Sequence, residues 1–241
     1  DPFDDAVAAY ERQDYATAIR LFSDVAAQGD ATAQYNLGLI YSNGAGVPRD
    51  HAEALRWFRL SAAGGDTDAQ LAVGLFYLKG AGVEQSHADA ARWFRRAAEA
   101  GNAGAQVNLG DLYRTGQGVP LDFAEAEKLY LRAAEQENPG GWNGLGELYR
   151  SNLHPRHDYA VAAEWYRLAA ESGDPEGQAH LAGMYYYGGG VPQDFARAAE
   201  WRRRAAEQGH AGAQNDLGRQ YAAGEGVPQD HAIAVGWYSK A

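Results

Sequence analysis

The chain contains no cysteine and a single methionine, Met184. Without cysteine there is no disulfide framework and no thiolate chemistry, so the redox state of the compartment leaves no mark on the sequence. An initiator methionine is also missing: the chain opens Asp1-Pro2-Phe3, the pattern of a removed targeting peptide or a trimmed start. No apolar run reaches the ~18 residues a spanning helix needs, so membrane insertion is not expected. Basic residues are scarce, with 21 Lys and Arg against 32 Asp and Glu, a net charge of −11. That balance argues against a nucleic-acid groove, which depends on clustered Lys and Arg. With 46% apolar and 22% charged residues, the 241-residue chain can nonetheless bury a large core.

What the chain does contain is a repeat. A block close to A-x-x-L-G-x-x-Y-x-x-G-x-G-V-P-x-D-x-A-x-A-x-x-W-[FY]-x-x-A-A recurs every 36 residues from about Ala31 to Ala241. The closing position of successive blocks falls at Gly29, Gly65, Gly101, Glu137, Gly173 and Gly209, with no insertion or deletion. A register this strict identifies a repeat array rather than one globular core. Within a block, apolar residues follow helical spacing twice, as in Leu71, Leu75 and Leu78 and then Ala88, Ala91 and Phe94. Between them lies a connection such as Gly44-Ala45-Gly46-Val47-Pro48-Arg49-Asp50. Glycine can end the first helix, proline cannot continue it, and the Asp side chain can cap the second.

The reading is therefore all-α: one solenoid domain over 1–241 made of about seven helical hairpins, near 3–28, 31–64, 67–100, 103–136, 139–172, 175–208 and 211–241. Glycine recurs inside the first helices at Gly38, Gly74, Gly110, Gly146 and Gly218. It costs about 1 kcal/mol there relative to alanine, a cost offset if the bare backbone admits the paired helix. The columns Tyr41 to Tyr221 and Trp57, Trp93, Trp165, Trp201 and Trp237, with Leu129 substituting once, read as structural core rather than a stacking platform.

The signature seen whole in Leu37 to Ala63 and in Leu109 to Ala134 resembles the Sel-one-like repeats, relatives of tetratricopeptide repeats. The resemblance implies a right-handed α/α superhelix whose first helices line a concave surface, and an adaptor role in binding proteins or peptides. Bacterial members are often exported, so a periplasmic or secreted location is expected, with the cytoplasm left open. One stretch departs from the pattern: Asn152-Leu153-His154-Pro155-Arg156 replaces the Gly-x-Gly-Val-Pro loop, Trp142 replaces the usual glutamine, and Glu137 the closing glycine. A locally different loop is expected there.

Because some relatives have been described as β-lactamases or penicillin binders, a cell-envelope enzyme or a binder of peptidoglycan-like ligands is the alternative. No Ser-x-x-Lys is present, and no serine lies in a Gly-x-Ser-x-Gly turn, so no enzyme and no cofactor are expected. His51, His87 and His231 share one position after a cap residue, and His154 and His157 lie in the aberrant loop. Zinc needs three or four converging ligands, so capping and a solvated loop explain these residues and no metal is expected. The Gly-x-Gly loops lack the Gly-Lys-Ser/Thr of a phosphate loop and follow helices.

Specificity is then expected on the concave face, at positions that vary between repeats. By analogy with tetratricopeptide repeats these include Tyr35, Leu39, Leu71, Leu75 and Leu78 toward the N-terminus, then Asn108, Asp111, Arg114, Asn143, Glu147 and Arg150, then Tyr186, Tyr187, Asn215 and Arg219. The leucines suggest an apolar anchor, and the arginines donors for a carboxylate or carbonyl. Asp111 and Glu147 can instead pair with Arg114 and Arg150 three residues on. The last helix stops before the turn that ends the other repeats, so the chain is expected either to continue or to self-associate through Trp237 and Tyr238.

Overall fold

The computed structural model describes residues 1–241, which form fourteen α-helices and no strand. They fall into two compact units. Unit 1, Asp1–Asp122, holds α1 (Pro2–Glu11), α2 (Tyr15–Ala26), α3 (Ala31–Asn43), α4 (His51–Ala63), α5 (Thr67–Lys79), α6 (His87–Glu99) and α7 (Ala103–Thr115). Unit 2, Phe123–Ala241, holds α8 (Phe123–Ala134), α9 (Pro139–Arg150), α10 (Tyr159–Glu171), α11 (Pro175–Tyr187), α12 (Phe195–Glu207), α13 (Ala211–Ala223) and α14 (His231–Tyr238). Inside each unit every helix packs on the one before and the one after it, the arrangement of an α-solenoid. The final helix ends at Tyr238, three residues short of the expected 241, and leaves Ile233 and Val235 exposed.

The helix boundaries follow from caps. Asp30, Asp50, Asp66, Ser86, Asn102, Asp174, Asp194 and Asp230 each accept a hydrogen bond from a free amide of the first turn that follows. Five odd-numbered helices of the regular repeats, α3, α5, α7, α11 and α13, end on a left-handed glycine. The recurring glutamine joins one repeat to the next: Gln34, Gln70, Gln178 and Gln214 are buried, and each donates to a carbonyl eight residues earlier, at 3.1, 3.3, 3.3 and 3.0 Å. Those carbonyls lie at the ends of the preceding helices, beyond the last i→i+4 bond, where each otherwise accepts the amide three residues on.

The deepest aromatic column is neither the Tyr nor the Trp column but the residue after the Trp position. Phe22, Phe58, Phe94, Tyr130 and Tyr166 are essentially without solvent contact. The Trp residues are half-buried, with Arg56, Arg96 and Arg204 lying over Trp57, Trp93 and Trp201. The helical glycines serve the buried rings: a Cβ on Gly38, Gly74 and Gly146 would come to 2.5, 2.4 and 2.5 Å from the rings of Phe58, Phe94 and Tyr166 respectively. The tyrosines at the ends of the first helices accept from arginines of the preceding repeat, Arg59 to Tyr77 at 2.6 Å, Arg95 to Tyr113 at 2.9 Å and Arg203 to Tyr221 at 2.7 Å.

The irregular stretch differs as its sequence suggests, with one correction. Helix α9 ends at Arg150 on an extended Ser151 rather than on a left-handed glycine. Without the glycine pair the chain folds inward, so His154 is buried (3% exposed) instead of solvated. Its ring stands edge-on to Phe123 and Tyr149, with centroids 5.8 and 5.2 Å away. Arg156 points outward and pairs with Glu127, which also accepts from the Tyr149 hydroxyl at 2.5 Å.

Glu137 keeps the backbone of the glycine it replaces, at φ +57°. Its amide bonds to the Ala134 carbonyl at 2.9 Å, and that of Asn138 to Ala133 at 3.1 Å. A side chain in this region costs about 1–2 kcal/mol, part of which returns through the more restricted unfolded chain. Glu137→Gly is therefore expected to stabilise the protein by about 0.5–1 kcal/mol. A urea midpoint equal to or below that of the parent would refute this.

Candidate functional site

In unit 2 the buried-ring column turns polar, and this builds the site. Tyr166 fills the position of Phe58 and Phe94, but its hydroxyl passes beyond the core and donates to Glu147 Oε1 at 2.8 Å. Arg150, one helical turn after Glu147, places a guanidinium nitrogen 3.0 Å from each carboxylate oxygen and its Nε 3.3 Å from the Tyr166 hydroxyl. His180 of α11 stacks on Tyr166 with centroids 4.6 Å apart, and its Nε2 lies 3.2 Å from Glu176 and 3.7 Å from Glu147. Glu176 also reaches His210 Nε2 at 3.1 Å, while His210 Nδ1 accepts from the Ala213 amide and so caps α13. One repeat further on, Arg202 takes the ring position. It is buried, lies over Tyr186 at 4.4 Å and reaches Asp216 at 3.5 Å. Tyr186 donates to Glu225 at 2.6 Å.

Beside this network lies a recess of about 260 Å³. Arg150, Tyr166 and His180 form its polar side, and Met184 and Gly183 its apolar side. Tyr187 stands at its rim, 74% exposed. A smaller apolar hollow of about 120 Å³ lies in unit 1 between Tyr10, Phe22, Asn36 and Leu39.

Burial opposes ionisation of Glu147, but the hydrogen bonds from Arg150 and Tyr166 outweigh it and hold the carboxyl below its ordinary value. Burial and the adjacent Glu147 charge push the Tyr166 hydroxyl far up. For His180, burial is the larger effect and lowers its pKa, against the opposing pull of Glu147 and Glu176 and with the help of Arg150 and His210. The histidine is thus neutral at pH 7. Since its folded value lies below the unfolded one near 6.5, the unfolded chain takes up the proton first as pH falls, and stability drops below about pH 6.5. Glu147 acts in the same direction lower down, its contribution being present above the ordinary carboxylate pKa and lost as pH falls through its depressed one. The melting temperature is expected to decline between pH 6.5 and 5, and His180→Asn to flatten that decline. An unchanged slope in the variant would contradict the assignment.

The residues singled out on the sequence fall into three groups. Glu147, Arg150 and Tyr187 border the recess or its network. Tyr35, Leu39, Leu71, Leu75 and Leu78 are half-buried in unit 1, Tyr35 against Phe58 with centroids 5.5 Å apart and Leu39 in the small hollow. The remainder are engaged locally or exposed. Asn108 donates to its own helix at Gly104, and Asp111 and Arg114 pair at 3.3 Å. Asn143 donates to Asp174 at 2.8 Å, and Arg219 pairs with Asp216 at 3.4 Å beside the exposed Asn215. The i, i+3 pairing foreseen for both arginines is present, so Arg150 is held rather than loose. The repeat pattern does not mark Tyr166, His180 or Gly183 as site residues. His180 occupies the position of Asn36 and Asn108, one before the core leucine, and aligning that column exposes it. No group of three or more His, Cys, Asp or Glu side chains is arranged to hold a metal ion, and no helix is long and apolar enough to cross a membrane.

Comparison with known proteins covers nearly the whole chain. Residues 31–66, 67–102, 103–138, 143–174, 175–210 and 211–241 each match the family model described as Sel1 repeat. A solved structure described as a protective antigen present in uropathogenic Escherichia coli strains, displaying an SLR fold, is 41% identical with a TM-score of 0.74. The match covers 93% of this chain and 48% of the antigen, so the chain spans about half the length of that relative. A Sel1 repeat protein from Oxalobacter formigenes is 29% identical with a TM-score of 0.88, over 100% of this chain and 96% of that one. An immunity protein from Pseudomonas aeruginosa, 17% identical with a TM-score of 0.63 over 87% of this chain and 80% of its own, shares the fold. Among curated proteins none matches.

Proposed function

We propose a binding role from one premise: the chain belongs to the Sel1 repeat family, whose fold is typically a non-catalytic scaffold for protein interactions. The protein acts as an adaptor that holds a protein or peptide partner on the face where the first helices of unit 2 present their variable residues. The observation that carries this reading is the recess between α9, α10 and α11, where an apolar hollow meets a fixed guanidinium and an imidazole. Such a mixture, apolar walls with a few oriented polar groups, is what concave binding sites offer. Arg150 is held by Glu147 and Tyr166 before any partner arrives, so little side-chain freedom is lost on binding. Asn143, Tyr186, Asn215 and Arg219 extend the same face, and Tyr35, Leu39, Leu71, Leu75, Leu78, Asn108, Asp111 and Arg114 supply that of unit 1.

The test is capture from the native host with tagged parent and Tyr187→Ala proteins, from envelope and cytoplasmic fractions separately. Tyr187 is exposed and touches only Tyr186 among the rings, so its loss leaves the fold intact. A partner retained by the parent is expected to bind about tenfold more weakly to the variant, as for an aromatic contact at the centre of an interface. Equal retention, or no partner at all, would sink the proposal. We propose further that the protein works outside the bacterial cytoplasm, a reading supported by the likeness to the E. coli antigen; recovery of protein and partner only from the cytoplasmic fraction would overturn it.

A further inference from the structure

The recess of unit 2 exists because one side chain is missing. Two residues after the core leucine position, α3 carries Leu39, α5 carries Leu75 and α9 carries Glu147, whereas α11 has Gly183. A Cβ built on Gly183 meets nothing within 4 Å, and its φ is not in the left-handed region. Neither packing nor backbone calls for glycine there, and inside a helix it is unfavourable relative to alanine. In unit 1 α3 and α5 fill this position with leucine and α7 with Asp111, and in unit 2 α9 and α13 fill it with Glu147 and Arg219; in α11 it is left open to another molecule.

We propose that this opening is a specificity pocket for one aromatic side chain of the partner, an inference that rests on the binding reading above. The walls are aromatic and soft: the stacked Tyr166 and His180, Tyr187 at the rim, and the buried Met184. An incoming ring would place its edge against tyrosine faces and against the polarisable thioether. The positive guanidinium of Arg150 complements the negative face of such a ring. The same charge disfavours a lysine or arginine. An acidic side chain would meet a guanidinium whose charge Glu147 already balances, and would add a second carboxylate beside it. A leucine would fill space but leave the guanidinium and the ring faces without complement. The volume, about 260 Å³, lies just below the range of drug-sized sites and suits one side chain with its adjoining backbone.

Met184 is the only methionine of the chain and sits in the pocket wall, so a single carbon-13 methyl label reports on occupancy. N-acetyl-L-phenylalaninamide is expected to shift the Met184 methyl signal upfield in a saturable way, through the ring current. N-acetyl-leucinamide and N-acetyl-lysinamide are expected to compete poorly. Gly183→Leu, which fills open space in a helix, is expected to abolish the shift while melting no lower than the parent. The proposal is overturned by a silent Met184, by equal competition from the leucine or lysine probe, or by a shift that survives Gly183→Leu. If Tyr187→Ala loses a captured partner while Met184 stays silent, this occupant fails and the binding reading stands. If the shift is seen and abolished as expected while partner retention ignores Gly183→Leu, the pocket stands and its role in partner binding fails.

Discussion

Gly118→Ala is expected to destabilise the protein by about 3 kcal/mol or more, and Gly116→Ala, two residues away, by only about 1–2 kcal/mol. The two glycines share one backbone conformation, φ +70° and +68°, so the conformational cost of a side chain is the same for both. They differ in what surrounds them. A Cβ on Gly116 would make ordinary contact with Leu121 at 3.4 Å. On Gly118 it would lie 2.6 Å from the Ala88 nitrogen and the His87 carbonyl oxygen, at the start of α6. That neighbour is backbone, fixed by the Ser86 cap, and cannot swing aside as a side chain can. Gly82 stands in the same relation to His51 and Ala52 at the start of α4, and Gly226 to Phe195 and Ala196 at the start of α12. The second glycine of each Gly-x-Gly loop is therefore where one hairpin seats on the previous one. Urea unfolding of the two variants side by side measures the difference. Equal midpoints would show that backbone conformation alone, and not seating, selects glycine at position 118.

This seating also explains how much of the molecule was legible in its sequence. Periodicity, cap residues and loop glycines are local signals, and they mark where the helices begin and where they turn. Depth is not local. The signature W-[FY] marks two adjacent aromatics, and a repeat pattern alone does not say that the second, on the side turned to the glycines of the partner helix, is the buried one. Tyr166 reads as an ordinary member of that column, and only its surroundings show that its hydroxyl emerges beside Glu147. Gly183 hides for a different reason. It is a missing side chain in the column Leu39, Leu75, Asp111, Glu147, Gly183, Arg219, and such a gap is noticed only when a column is read for what it lacks. His154 is hidden because a polar residue beside proline in a loop looks solvated, whereas Phe123 at the start of α8 and Tyr149 at the end of α9 cover it.

The buried ring carries the second large effect. Phe94→Ala is expected to cost about 3–5 kcal/mol, the range for removing a fully buried aromatic. Trp93→Ala, next to it in sequence, is expected to cost about half as much, because the indole is half-buried and partly covered by Arg96. The ordering reverses what residue size alone would suggest, so urea midpoints of the two variants separate burial from size. A further comparison isolates the contact itself. Gly74→Ala pushes a Cβ to 2.4 Å from the Phe94 ring and is expected to destabilise by about 1–3 kcal/mol. In the Phe94→Ala background the ring is gone and the added methyl enters the vacated space, so the same change becomes neutral or favourable, aided by the helix preference of alanine over glycine. The two substitutions should then fall short of additivity by about 1–3 kcal/mol. Strict additivity would mean that ring and glycine do not meet, and the packing rule that explains the glycine column in α3, α5 and α9 would fall with it.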